Sequence, residues 1–191
     1  ATAAALILFY FKQPKTPQIT VFCSAFLILS AAFKDYASSG LENSFSYLLS
    51  AMFFLNFFAP KRRVPLLTLL TGLMLLNRMD TVLLVFPAWL YACAAAESKK
   101  QLPKIVSLCL SPFIAWEVFC LIYYGFLFPN TAYAKLNADI PLSEYLRHGI
   151  DYYKFTFKLD FATLAGICAG LFVLFKSPFD AKRSCAGLGI V

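Results

Sequence analysis

Charged residues are scarce in this sequence: 14% of its 191 residues are charged, whereas 60% are hydrophobic and 17% are aromatic. Soluble domains are about one quarter charged, so this composition excludes an ordinary soluble domain and favours a membrane protein. The net charge of +7 does not indicate nucleic-acid binding, because that function needs basic residues gathered on one water-facing surface. Here the basic residues lie in short clusters between apolar runs.

Recognisable catalytic and metal-binding motifs are missing as well. The six cysteines contain no CxxC pair and lie mostly within apolar runs, which favours apolar packing over a disulfide or a metal site. His148 is the single histidine, so a His-rich metal site is excluded. There is no HExxH motif, Ser-His-Asp arrangement or glycine-rich phosphate loop. The sequence therefore indicates no cofactor and leaves metal dependence open.

The two ends of the chain also lack expected features. The chain begins at Ala1 without an initiating methionine, and both ends fall within apolar runs. No charged segment precedes the first run, so a signal peptide is not predicted. We expect the chain to be an internal piece of a longer protein, part of whose chemistry lies upstream of Ala1.

Apolar runs are what the sequence has in abundance. A helix that spans a bilayer needs about 20 mostly apolar residues, within a range of about 17 to 25. The candidate spans are 1–11, 18–36, 44–59, 64–80, 81–96, 105–124 and 161–176, with 185–191 opening a further one. Several are a turn short, which is tolerated where a helix end lies in a protein-lined cavity. These runs predict an all-α fold, a polytopic transmembrane helical bundle of about six to eight spans in which 1–191 form part of one domain.

The segments between the runs fall into two sets that differ in charge. The basic set, with eleven Lys or Arg and two acids, comprises residues 12–15, 61–63, 97–104 and 176–183. The positive-inside rule places this set in the cytoplasm. The remaining segments, 34–44, 77–80 and 125–160, then face outward. The sequence thus predicts a multi-pass protein of the plasma (inner) membrane.

The outward segment 125–160 has a pattern of its own. After Pro141, apolar residues recur at helical spacing while charged residues fill the other faces. The apolar positions are Leu142, Leu146, Ile150, Tyr153 and Phe157. This pattern predicts an amphipathic helix that lies on the outer membrane surface.

Polar residues stand at the outward ends of three runs. Because a charge at mid-bilayer costs roughly 2.5 to 3.5 kcal/mol, ions near membrane depth are usually functional. Arg78 and Asp80 are two residues apart and would not face each other on a regular helix. They either close a turn as a surface ion pair, or Arg78 binds an anionic head group while Asp80 orients that group or a sugar hydroxyl.

The other two clusters have similar alternatives. Pro129 suits the first turn of a helix, and Thr131 and Lys135 would share one face of it. With Asn130, they form either a phosphate site or a plain cap beside a lysine that extends to the interface. The pair formed by Glu42 and Asn43 is either a helix cap or a site at which Glu42 acts as hydrogen-bond acceptor or base.

One acid, Glu117, falls well inside a predicted span, after Pro112, which can open a helix locally. It is either neutral and hydrogen-bonded to a neighbouring helix, or it lines a polar cavity.

Three segments carry a family resemblance: SGLENSFSYLL (39–49), LLNRMDTVLLVFPAWLY (75–91) and YYGFLFPNTAYAKL (123–136). In this order, they resemble the GT-C superfamily of polytopic membrane glycosyltransferases, most of all the bacterial branch that includes the terminal arabinofuranosyltransferases of actinobacterial cell walls. Such enzymes transfer a sugar, with inversion, from a polyprenyl-phosphate donor to a glycan or lipid-linked acceptor at the outer face.

The resemblance also implies roles for individual residues. Arg78, Lys135 and Asn130 would hold the donor phosphate, with Asp80 and Glu42 in support. The general base of such enzymes is an acid in their first outer loop, which would lie upstream of Ala1 in this chain. Two other classes remain open, a transporter or lipid flippase and a non-catalytic membrane subunit.

Overall fold

The computed structural model describes residues 25, 27–96, 98–126, 141–176 and 180–188. All regular secondary structure in these ranges is helical, which confirms the predicted all-α fold. The helices are α1 (Ala31–Ser38), α2 (Asn43–Phe58), α3 (Val64–Asn77), α4 (Val82–Ala94), α5 (Leu102–Tyr124), α6 (Leu142–Leu159), α7 (Phe161–Lys176) and α8 (Ala181–Leu188). A short 3₁₀ turn, Met79–Thr81, connects α3 to α4.

Three antiparallel helices, α2, α3 and α4, form the centre of the described fold. Each contributes buried apolar residues spaced three or four apart, the spacing that places side chains on one face of a helix. The buried set is Leu49, Phe53 and Phe57 from α2, Leu67, Leu70 and Met74 from α3, and Val85, Ala88 and Ala92 from α4. The indole N–H of Trp89 donates to Thr68 Oγ1 at 3.1 Å, so a hydrogen bond also joins α4 to α3.

The remaining helices pack around this three-helix layer. α1 lies on α2, α8 lies on α4, and α7 contacts α1, α6 and α8. α5 packs closely on α3, where a Cβ atom added to Gly72 would lie 3.2 Å from Leu110 Cδ2 and 3.3 Å from the Cys109 carbonyl oxygen. Glycine at this position therefore allows the two helices to approach each other.

Length decides which of these helices can cross a membrane. With 23 residues, α5 is about 35 Å long, enough for a hydrocarbon core of about 30 Å. Although α5 contacts α3, none of its residues is fully buried by the rest of the described structure. α2, α3 and α4 have 16, 14 and 13 residues and reach only about 20 to 24 Å. The described residues thus contain one candidate span, or two if α6 and α7 are one span bent by 103°, and do not confirm six to eight.

The predicted runs and the observed helices agree in position but differ in where they end. The run 64–80 ends as a helix at Asn77, because the backbone of Arg78 is extended, with φ −154° and ψ 119°. The helical pattern after Pro141 is present as α6, which has 18 residues.

One predicted run, 18–36, is wrong as a single helix. Ser30 has an extended backbone, and its hydroxyl accepts a hydrogen bond from the N–H of Phe33 at 3.0 Å, which starts α1 at Ala31. A serine favours this N-cap role because its side chain pairs a backbone N–H that has no partner within the helix. The predicted run 1–11, which begins at Ala1, lies outside the described residues.

Gly72→Val is expected to lower the unfolding temperature, because the added side chain would force α3 and α5 apart. Overpacking of this kind costs about 1–3 kcal/mol, so unfolding of the purified protein in detergent should begin several degrees lower. Gly170→Val is the matched control, since Gly170 lies within α7 and an added Cβ there meets nothing within 4 Å. Equal unfolding temperatures for the two variants would contradict the close α3–α5 contact.

Candidate functional site

Two of the three predicted polar clusters meet at one end of the three-helix layer. Because α2 and α3 are antiparallel, the start of α2 at Asn43 lies beside the end of α3 at Asn77. Gly40, with φ +72°, gives the chain the left-handed conformation it needs between α1 and α2. The amide of Asn77 donates to the Glu42 carbonyl at 3.1 Å and to Ser46 Oγ at 2.8 Å, which ties the two helix ends together.

Arg78 is the centre of this cluster. Its Nε donates to Asp80 Oδ1 at 3.0 Å and its Nη2 to Asp80 Oδ2 at 2.7 Å, a bidentate pair. Its Nη1 donates to Asn43 Oδ1 at 2.9 Å and lies 3.4 Å from Glu42 Oε1. Arg78 and Asp80 face each other, contrary to the expectation for a regular helix, because Arg78 is extended and Asp80 lies in the 3₁₀ turn.

Hydrogen bonding keeps both members of this pair charged. The hydrogen bond from Arg78 lowers the pKa of Asp80, and the same bond raises the pKa of Arg78. The site is open to solvent, with 34% of the Arg78 side chain, 42% of Glu42 and 62% of Asp80 exposed. One guanidinium therefore faces two carboxylates, and the balance of charge in the described cluster is negative.

Asn43 differs from its neighbours because it is buried. Arg78 can only donate, so Asn43 must turn its oxygen to the guanidinium, and this fixes the orientation of the amide. Asn43 Nδ2 is then buried and has no hydrogen-bond partner among the described residues. A buried donor without a partner costs about 1–3 kcal/mol. Asn43 Nδ2 is therefore a donor to which a group outside the described residues can bind.

The opposite end of the layer carries the basic turn between α2 and α3. The amide of Asn56 holds this turn, donating to the Arg63 carbonyl at 3.0 Å and accepting from the Arg63 N–H at 3.2 Å. The guanidinium of Arg62 lies 5.2 Å from the centre of the Tyr91 ring, within the range of a cation–π contact. The basic segment 61–63 and the Arg78 cluster are thus separated by the length of α3, about 21 Å.

The structure brings together four of the seven predicted site residues: Glu42, Asn43, Arg78 and Asp80. The other three, Asn130, Thr131 and Lys135, lie outside the described residues. The role of Ser46 was missed, although its position one turn after Asn43 on the same helix face is a usable signal. In the interior of α5, Glu117 Oε1 is buried without a hydrogen-bond partner among the described residues, so no bond to a neighbouring helix is seen at that atom.

The structure contains a second buried polar cluster, which we call the Asp160 joint and which the sequence analysis did not predict. It consists of Asp160, Thr163, Ser30 and the N–H of Ala32. Asp160 Oδ2 accepts from Ala32 N–H at 2.8 Å and from Thr163 Oγ1 at 2.7 Å, while Oδ1 accepts from Thr163 N–H at 3.2 Å. Ser30 Oγ lies 2.6 Å from Thr163 Oγ1. One carboxylate therefore caps both α1 and α7.

The hydrogen bonds of this joint favour the charged carboxylate. Burial by itself raises the pKa of Asp160, but hydrogen bonds from Ala32 N–H and from the Thr163 hydroxyl and N–H outweigh it and lower the pKa to about 2. The sequence signal was present: Asp160 and Thr163 stand three apart at the start of an apolar run, a common helix-start pattern.

No protein-family description, curated protein or solved structure matches this chain. The chemistry of the Arg78 cluster is therefore inferred from its own geometry.

Arg78→Gln is expected to raise the pKa of Asp80 towards its ordinary value of 3.8, because the hydrogen bond from Arg78 is the largest cause lowering it. Since a lowered pKa stabilises the fold above the unfolded pKa, the pair's contribution should disappear as pH falls through the folded value. Carboxyl titration by NMR of isotopically labelled aspartate measures the shift. Lys154→Gln is the control, because it removes the partner of Asp151 on α6 and should leave Asp80 unchanged. An unchanged Asp80 titration in Arg78→Gln would contradict the bidentate pair.

Proposed function

We propose that this chain is part of a membrane glycosyltransferase of the GT-C type. It would transfer a sugar, with inversion, from a polyprenyl-phosphate donor to a glycan or lipid-linked acceptor. The observation that carries this proposal is the convergence of Glu42, Asn43, Arg78 and Asp80, from two separate loops, at one end of an apolar helix layer. A lipid-linked anionic donor fits that setting, because its tail needs apolar surface and its head needs polar partners.

The arrangement of charge supports the same orientation. The Arg78 cluster and the basic segment 61–63 lie at opposite ends of α3. Under the positive-inside rule, the basic end faces the cytoplasm and the cluster faces outward. We therefore propose an outer-face site in a multi-pass protein of the plasma membrane, with the full bundle of about six to eight spans.

The charges of the Arg78 cluster indicate which predicted residues bind the phosphate and which bind the sugar. Arg78 alone cannot attract a phosphate strongly, because Glu42 and Asp80 already face it. We propose that Lys135 adds the second positive charge and that Asn130 and Thr131 supply further hydrogen-bond donors to the phosphate. The two carboxylates, both partly exposed, are suited to accept hydrogen bonds from sugar hydroxyls.

Inverting transfer needs a general base and stabilisation of the departing phosphate. We propose that Arg78 and Lys135 stabilise the departing phosphate. None of the described residues is assigned the role of general base. The resemblance to GT-C enzymes assigns it to an acid in their first outer loop, and this assignment stays a prediction.

A second candidate is a transporter or lipid flippase, and Glu117 is the observation that favours it. Transporters place ionisable groups within their spans, and Glu117 lies inside α5 with a buried oxygen that has no described partner. The stronger polar cluster lies at the end of the helix layer, which favours the transferase.

Arg78→Ala and Lys135→Ala are each expected to reduce sugar transfer about 10- to 100-fold. A hydrogen bond to a charged group contributes about 1.5–3 kcal/mol, and each 1.4 kcal/mol corresponds to a factor of ten. The assay uses membranes of cells that express the intact protein, with a panel of polyprenyl-phosphate pentoses and hexoses.

Lys99→Ala is the charge-matched control for this assay, because Lys99 belongs to the basic set assigned to the opposite face. The Lys99→Ala variant should transfer sugar normally. All three variants should insert into the membrane to the same extent. Normal transfer in Arg78→Ala and Lys135→Ala together would overturn the phosphate assignment.

A further inference from the structure

α6 displays a continuous apolar face that the described residues leave exposed. Its members are Leu146, Ile150, Tyr153 and Phe157, of which 61%, 57%, 66% and 61% is exposed. They lie three or four residues apart, so they form one stripe along the helix. Soluble proteins rarely expose contiguous apolar patches of this kind, which mark contact with a membrane or another protein.

The opposite face of α6 carries most of the charged residues of the helix, together with the exposed Phe155. It carries three basic residues and two acids: Arg147, Lys154, Lys158, Glu144 and Asp151. Lys154 Nζ pairs with Asp151 Oδ1 at 3.0 Å, and both side chains are exposed. A helix that is apolar on one side and charged on the other has the composition of helices lying at a membrane surface.

The direction of α6 relative to α7 favours a lipid bilayer as the occupant of the apolar face. The two helices are joined at Asp160 with a bend of 103°. α7 is apolar along its length, with Phe161, Ile167 and Phe172 exposed at 60%, 43% and 61%. If α7 enters the hydrocarbon along the membrane normal, a bend close to a right angle places α6 in the plane of the membrane.

The Asp160 joint holds this bend. Asp160 caps α7 through Thr163 and binds the start of α1 through the N–H of Ala32. The bend between α6 and α7 is therefore attached to a third helix, α1. A buried carboxylate with these partners is a defined attachment point that a flexible linker would lack.

The joint is connected through α1 to the first turns of α2, the end of the layer that carries the Arg78 cluster. Close to the joint on α1, the Phe33 ring stacks on Tyr47 of α2 with centroids 5.0 Å apart. Further along α1, the carbonyl of Ala37 accepts a hydrogen bond from Ser44 Oγ at 2.8 Å. Both contacts fall within about one turn of Asn43, which is part of the cluster.

We infer that α6 lies in the plane of the membrane on the side of the Arg78 cluster, with its apolar stripe in the boundary between head groups and acyl chains. Asp160 is a positioning residue that keeps α6 at this angle. The inference rests on membrane insertion of α7 and not on sugar transfer, so it can fail or hold independently of the proposed enzyme activity.

Photo-cross-linking of the intact protein tests the orientation of α6. The photoreactive residue p-benzoylphenylalanine replaces Tyr153 in one variant and Glu144 in another. These positions are nine residues apart, or two and a half turns, and so lie on opposite sides of the helix. The protein is reconstituted in vesicles of phosphatidylethanolamine and phosphatidylglycerol, and lipid adducts are measured by mass spectrometry.

The Tyr153 variant is expected to form several-fold more lipid adducts than the Glu144 variant. Equal lipid labelling of the two positions would overturn the in-plane orientation. Adducts at Tyr153 to a second polypeptide chain in place of lipid would also overturn it, because they would identify a protein as the occupant of the apolar face.

The role of Asp160 is tested by adding Asp160→Ala to both photoreactive variants. Loss of the capping oxygen is expected to reduce the difference in labelling between the two faces, while the helix content measured by circular dichroism stays unchanged. Asp160→Asn should restore only part of the difference, because its single side-chain oxygen can accept from the N–H of Ala32 or from that of Thr163, while its NH2 group cannot accept from the other. Asp151→Ala is the control for removing an acid from α6 away from the joint. Full face selectivity in Asp160→Ala would refute the positioning role.

Discussion

A permanently charged guanidinium at the end of an apolar helix layer determines how the polar end of the described fold is built. Arg78 cannot lose its proton in a protein, and it presents donors in a fixed fork. Acceptors must therefore surround it. Asp80 lies in the same turn, and Glu42 and Asn43 lie at the start of α2. The extended backbone at Arg78, which ends α3 at Asn77, lets this one side chain reach both loops.

Much of the fold could be predicted from the sequence because apolar runs and their interruptions report helix positions directly. The core residues of α2, α3 and α4 recur at helical spacing, and the charged pattern after Pro141 identified α6 as an amphipathic helix. The number of spans could not be predicted in the same way. Composition reports that a run is apolar, but the turns decide where each helix ends, and α2 to α4 end after 16, 14 and 13 residues.

The contacts within the candidate site could not be predicted from the sequence. Arg78 and Asp80 were identified as polar residues at a turn, but their pairing depends on a local backbone conformation that regular-helix spacing does not describe. Asp160 and Ser30 are 130 positions apart, and no local pattern relates them. The break at Ser30 has both a local cause, the hydrogen bond from the Phe33 N–H to the Ser30 hydroxyl, and a distant one, the Asp160 carboxylate that accepts from the N–H of Ala32. Long-range polar contacts of this kind can be identified only from the three-dimensional structure.

If α2, α3 and α4 lie in the membrane as proposed, their shortness has a consequence for the surrounding lipid. Helices of about 20 to 24 Å are shorter than a hydrocarbon core of about 30 Å, and one response to such a hydrophobic mismatch is local thinning of the bilayer. Thinning shortens the path between the aqueous phase and the acyl chains beside the three-helix layer. An amphiphile held there could keep its tail solvated by lipid while its polar end reaches water.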